Sequence, residues 1–79
     1  MFRKVFVEVV AHFDIDGKMS PVALTWEDGR QFEVDRVLDV RRAASLKAGG
    51  QGTRYTCIVQ GKEVYMFYEV DRWFMEGKG

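Results

Sequence analysis

Five cationic side chains, Arg36, Arg41, Arg42, Lys47 and Arg54, fall within 19 residues of this 79-residue chain, and Tyr55 follows the last of them directly. Cations beside an exposed ring suit single-stranded nucleic acid. The charges neutralise phosphates while bases stack on the ring, at about 1–3 kcal/mol per base. Asp35 and Asp39 interleave with these arginines, however. On a strand Asp35, Asp39 and Arg41 share a face, so ion pairs absorb part of the positive charge. The whole chain carries 12 basic and 12 acidic residues, which is not the footprint of a protein that coats nucleic acid. A nucleic-acid-binding accessory role for 36–54 is therefore the second reading. The first is a non-enzymatic binding or regulatory module acting through protein contact or self-association. Tyr65, Phe67, Trp73 and Phe74 carry it, because a core this small does not readily hold all four rings, and aromatic residues and Arg are enriched at interface centres. An isologous homodimer through the last two strands, or through a sheet edge, fits that pattern.

Catalysis finds little material. A nucleophilic site would need the single His12 to reach the single Cys57, or Ser45, with an acid orienting the ring. Cys57 lies mid-strand between Thr56 and Ile58, with no helix N-terminus or neighbouring His to lower its pKa, so it reads as a small buried hydrophobe. His12 reads as a surface or cross-strand partner, and no enzyme activity is expected. Structural zinc needs four Cys or His ligands and the chain has two. Asp14-Ile-Asp-Gly17 resembles the start of a calcium loop, but the later ligands are missing, and a plain turn is the better reading. Gly49-Gly-Gln-Gly52, flanked by Lys47 and Arg54, has the backbone freedom to cradle an anion, yet Gly52 enters a strand rather than a helix. It reads as a hairpin tip. No metal or cofactor is expected.

The elements that must position these residues follow from alternation. Val5, Val7, Val9, Ala11 and Phe13 share one parity, the mark of a strand with one core-facing side. Asp14–Gly17 turns the chain, and Ser20–Trp26 resumes the alternation from Pro21. Asp28-Gly29 predicts a tight I′ hairpin into Phe32 and Val34. The phase then wavers: Leu38 and Val40 share a face with Arg36, while Val37 falls opposite. A bulge or bend near 35–37 resolves the conflict. The competing reading is a helix over about 36–48, capped by Asp35 and closed by Gly49, with a thin apolar stripe. Thr53–Gln60 is a β-branched strand, and Gly61-Lys62 suits a II′ turn. Glu63–Val70 is apolar on both parities, which requires a central position covered twice or a face at an interface. Asp71-Arg72 turns into Trp73–Met75. Turn signals every 8–12 residues predict an all-β fold, a small curled antiparallel sheet or partly open barrel of five or six strands. The alternative is α+β with the one helix.

The string Asp35-Arg-Val-Leu-Asp-Val-Arg-Arg-Ala-Ala-Ser-Leu-Lys-Ala-Gly-Gly-Gln-Gly52, with Thr25–Arg30 before it and Tyr65–Tyr68 and Arg72–Phe74 after it, resembles a family of short bacterial proteins, mostly from Firmicutes, without assigned function. The similarity covers residues 6–76. A weaker likeness, carried by a tryptophan, a Gly-Arg-x-aromatic turn and an Arg-Val-Leu strand, is to small domains found beside mutagenic repair polymerase components. The resemblance implies one stand-alone bacterial domain and supplies no catalytic residue.

Length and composition agree with a single domain over 1–79, near the lower end of what folds unaided. Its 47% hydrophobic and 14% aromatic content is that of a packed chain. One cysteine excludes an internal disulfide and suits a reducing compartment. No apolar run approaches the roughly 20 residues of a membrane helix, and Glu8 interrupts what would be a signal sequence. The chain is read as cytoplasmic.

Overall fold

The computed structural model describes residues 2–45 and 51–78. Its elements are all strands: β1 (Phe2–Phe13), β2 (Met19–Thr25), β3 (Gln31–Glu33), β4 (Arg36–Ala44), β5 (Gln51–Val59), β6 (Lys62–Glu69) and β7 (Arg72–Lys78). They form one antiparallel sheet in the order β3-β2-β1-β7-β6-β5-β4, curled into a half-barrel. The all-β expectation holds, and Arg36–Ala44 is strand rather than helix.

There are seven strands where five or six were expected, because the run from Phe32 to Ala44 is divided. Val34 N donates to Val22 O of β2 at 2.9 Å, and the next residue, Asp35, donates its N–H to Ile58 O of β5 at 2.8 Å. β3 pairs with β2 and β4 with β5, at opposite ends of the strand order. Two consecutive residues thus bridge the two edges, which a flat sheet does not allow. Curling brings those edges together around the core.

The phase conflict in β4 is resolved by a bulge. Val37 pairs with Cys57 and Asp39 with Thr56, leaving Leu38 as the extra residue. An extra residue flips the alternation, so Val37 and Val40 fall on one side despite their odd spacing. The bulge sits one residue beyond the expected bend.

The turns also differ in detail. Gly29 N donates to Trp26 O at 2.9 Å and Trp26 N to Arg30 O at 2.8 Å. Gly29 has φ 90° while Glu27 and Asp28 stay at negative φ, so this is a three-residue loop ending in a glycine bulge, not a I′ turn. The β5–β6 turn is centred on Gln60-Gly61, with φ 51° and 75°, because Val59 pairs with Lys62. Two positive φ values make it I′ rather than II′. Likewise Glu69 pairs with Arg72, and the β6–β7 turn is Val70-Asp71, at φ 46° and 67°.

Both faces of the central strands are covered. Leu24, Tyr55, Cys57, Met66 and Trp73 form the inner core, joined by Val7, Val9, Phe32, Val37 and Tyr68 from neighbouring strands. A second, smaller cluster occupies the outer face. Phe67 and Phe74 are 1% and 0% exposed and stack with centroids 4.9 Å apart and planes 11° apart. Phe6 meets Phe74 edge-on at 6.1 Å, Lys4 Nζ lies 4.8 Å above the Phe74 ring, and Arg72 covers Phe6 at 3.9 Å. Cations over ring faces gain from the ring quadrupole while their stems shield apolar surface. At the end of β4, buried Ser45 donates from Oγ to Glu76 Oε2 at 2.7 Å. β5 and β6 lie between β4 and β7 in the sheet, so this bond reaches across the outer face.

Candidate functional site

β4 is where the arginines, the acids and the unspent hydrophobes meet. As the last strand of the sheet it pairs with β5 on one side, and no described strand pairs with it on the other. Beyond the Leu38 bulge, Asp39 and Arg41 face outward, opposite Thr56 and Arg54. Val40 and Arg42 face the core side, opposite Tyr55 and Thr53. At the rim that core side is not closed, and Val40 remains 50% exposed, while Leu38 at the bulge is 46% exposed. Two half-exposed aliphatics on a nine-residue edge are uncommon, since natural edges are short or blunted by charge, proline and bulges.

Electrostatics organises the outer side of the same edge. Arg41 Nε donates to Asp39 Oδ2 at 2.7 Å. That bond, reinforced by the charges of Arg41 and Arg54, holds the Asp39 carboxyl below its ordinary range, and it raises the Arg41 guanidinium further. Arg54 lies 4.5 Å over the ring of Tyr65. Its Nε is buried with no hydrogen-bond partner, as expected of a guanidinium laid flat on an aromatic face. Tyr65 is 41% exposed and meets Phe67 edge-on at 6.4 Å.

Of the residues singled out in the sequence, Arg36, Arg41 and Arg54 share the outer face, opposite Ile58, Arg54 and Arg41 respectively. Arg42 is on the other side. Tyr55 is not beside them either. It is buried in the inner core, where it packs on Trp73 at 5.0 Å and its hydroxyl donates to Met19 O at 3.1 Å; burial raises its pKa. The ring that accompanies the arginines is Tyr65. Lys47 lies outside the described residues. Among the expected interface aromatics, Trp73 belongs to the inner core, Phe67 and Phe74 to the outer cluster, and Tyr65 alone is substantially exposed. Sequence reasoning missed Leu38, Asp39 and Val40 as site residues. The broken alternation at Leu38 was their one available signal.

Of the remaining reactive groups, His12 is exposed on β1 opposite Ser20, Cys57 is enclosed and Asp14 is occupied in a turn. Cys57 is a fully buried free thiol that points its Sγ at Tyr55 O, 3.7 Å away, and burial pushes its pKa up to about 11. A thiol held neutral and dry is a poor nucleophile. Asp14 Oδ1 accepts the backbone N–H groups of Asp16 and Lys18, both at 2.9 Å, so it closes the β1–β2 turn. Among the described residues no group of three or more His, Cys, Asp or Glu is arranged to hold a metal, and no helix is long and apolar enough to cross a membrane. A depression of about 510 Å³ between β1, β2 and β3 is lined by Glu8, Val10, Phe32 and Glu33, and one of about 580 Å³ lies beside Phe6, Arg72 and Trp73; neither is lined by Cys57 or His12.

In comparisons with known proteins, no family model, no curated protein and no solved structure matches this chain.

Proposed function

We propose that the chain is a non-enzymatic binding module whose docking element is the open edge of β4, to which another polypeptide adds a strand. In this mode main-chain hydrogen bonds give affinity and alternate side chains give specificity. One observation carries the reading: the nine-residue edge ends the sheet with Leu38 and Val40 half-exposed. The opposite edge, β3, offers only three residues, too few to hold a partner strand in register. The bulge at Leu38 confines regular pairing to Asp39–Ala44, and the alternating Asp39 and Arg41 charges select the incoming strand.

Site-specific photo-crosslinking tests this reading. A benzophenone side chain at residue 40 should give a defined adduct in bacterial extract. The same group at residue 15, where Ile15 is fully exposed on the β1–β2 turn, should not. Equal labelling at both positions, or none at residue 40, rules out the edge.

A second reading rests on Arg54 and Tyr65. A guanidinium stacked on a half-exposed ring, with Arg36 and Arg41 on the same face, suits a single-stranded nucleic acid. Asp39 holds Arg41 at 2.7 Å and weakens that case. Salt-sensitive binding of a labelled oligonucleotide, lost in Arg54→Glu, would favour it.

A further inference from the structure

We infer that the strand added to β4 is the β4 of a second copy, in one antiparallel register centred on Val40. The inference rests on the edge reading above and names its partner. In an isologous pairing of two edges into a continuous sheet, the two-fold axis stands perpendicular to the sheet and keeps every side chain on its own face. Directly opposed residues must also share a face, so the axis has to pass through a residue rather than between two.

Three residues lie beyond the bulge and near the middle of the strand. An axis through Asp39 sets Asp39 against its own copy. An axis through Arg41 does the same with two guanidinium groups. Like charges directly opposed across a pair of strands are destabilising. An axis through Val40 instead sets Asp39 against the second copy's Arg41 and Arg41 against its Asp39, on the outer face where both side chains already lie. With the Asp39–Arg41 bond of 2.7 Å within each strand, four charges form a square of alternating sign. On the other face Val40 meets Val40, and the half-exposed aliphatic surface of each edge is withdrawn from water. The strand is therefore complementary to itself in the register centred on Val40, and the registers centred on Asp39 and Arg41 are disfavoured by its own charges.

Charge exchange tests the register, with mass read by sedimentation equilibrium between about 10 µM and about 1 mM and folding checked by circular dichroism. The wild type should move from 9.2 kDa toward twice that mass. Asp39→Arg and Arg41→Asp, both at exposed groups, should each stay monomeric, because each sets like charges against each other twice. Mixing the two variants should restore a dimer, since every opposed pair is then of opposite sign, and the double variant D39R/R41D should dimerise alone for the same reason. A wild type that stays monomeric throughout, or a dimer indifferent to the exchanges, overturns the inference. The crosslink at residue 40 separates the two claims. An adduct with a different protein beside a monomeric wild type overturns self-pairing and leaves the edge reading standing; absence of any adduct overturns both.

Discussion

Val34 and Asp35 are consecutive in the chain, yet their amides donate to opposite limbs of the sheet, Val34 to Val22 O at 2.9 Å and Asp35 to Ile58 O at 2.8 Å. This seam holds the half-barrel curled and delivers β4 to the edge. Asp35→Pro removes the second donor and leaves the Ile58 carbonyl without it, at a cost of about 1–3 kcal/mol. Asp35→Asn keeps the amide and should be near neutral. Urea unfolding midpoints of the two variants make the comparison.

Ser45 closes the other end of β4. Its hydroxyl donates to the Glu76 carboxylate at 2.7 Å from a buried position, a charge-assisted bond worth about 1.5–3 kcal/mol. Ser45→Ala should lower stability by that order. A lowered urea unfolding midpoint in this variant is the readout.

The β6–β7 turn stores strain. Val70 is β-branched at φ 46° and 86% exposed, so it occupies a disfavoured conformation with little packing in return. Left-handed backbone at a non-glycine residue costs about 1–3 kcal/mol, and Asn tolerates it better than Val. Val70→Asn should therefore raise stability by about 1 kcal/mol. Asp71 is best left alone, because its carboxylate accepts from the Tyr68 hydroxyl at 3.1 Å. Thermal melts of the wild type and this variant decide the sign.

Cys57 gives a pH signature. Its folded pKa is pushed to about 11 from an ordinary 9.0 by burial, so the folded chain holds the thiol proton more tightly than the unfolded chain does. The associated stability is whole below the lower value and disappears as pH rises through the upper one. Tyr55, also raised by burial, acts in the same direction. Unfolding midpoints should fall across that alkaline window, less steeply in Cys57→Ala. Iodoacetamide at about pH 8 should label the thiol only after unfolding.

Much of this architecture was legible because alternation and turn chemistry are local. Val5, Val7 and Val9 face the core as their parity requires, and the doubly apolar β6 is covered on both sides. The bulge also left a trace, since no regular strand puts Val37 and Val40 on one face. The same loss of phase pointed to a bend near 35–37, but no Gly or Pro shows that the chain crosses at Val34–Asp35 from β2 to β5, which happens only because the sheet curls. The site was read less well for a related reason. Arg54 and Tyr55 are neighbours in sequence, but adjacent residues on a strand face opposite sides, so the arginine joins Arg41 outside while the tyrosine joins Cys57 inside. Which strand ends the sheet depends on the pairing of all the others, and Leu38 and Val40 carry meaning only at an edge.

The most direct measurement of the edge claim is residue-by-residue amide exchange, followed by NMR in dilute and concentrated protein. Amides on the open side of β4, around Val40, should exchange rapidly when dilute and slow by roughly tenfold or more as chains associate, while the amides of Phe67 and Tyr68, which pair with both β5 and β7, stay unchanged. Association accompanied by unchanged β4 exchange, or by protection gained on the β1–β2 hairpin instead, would contradict the assignment of β4 as the docking edge.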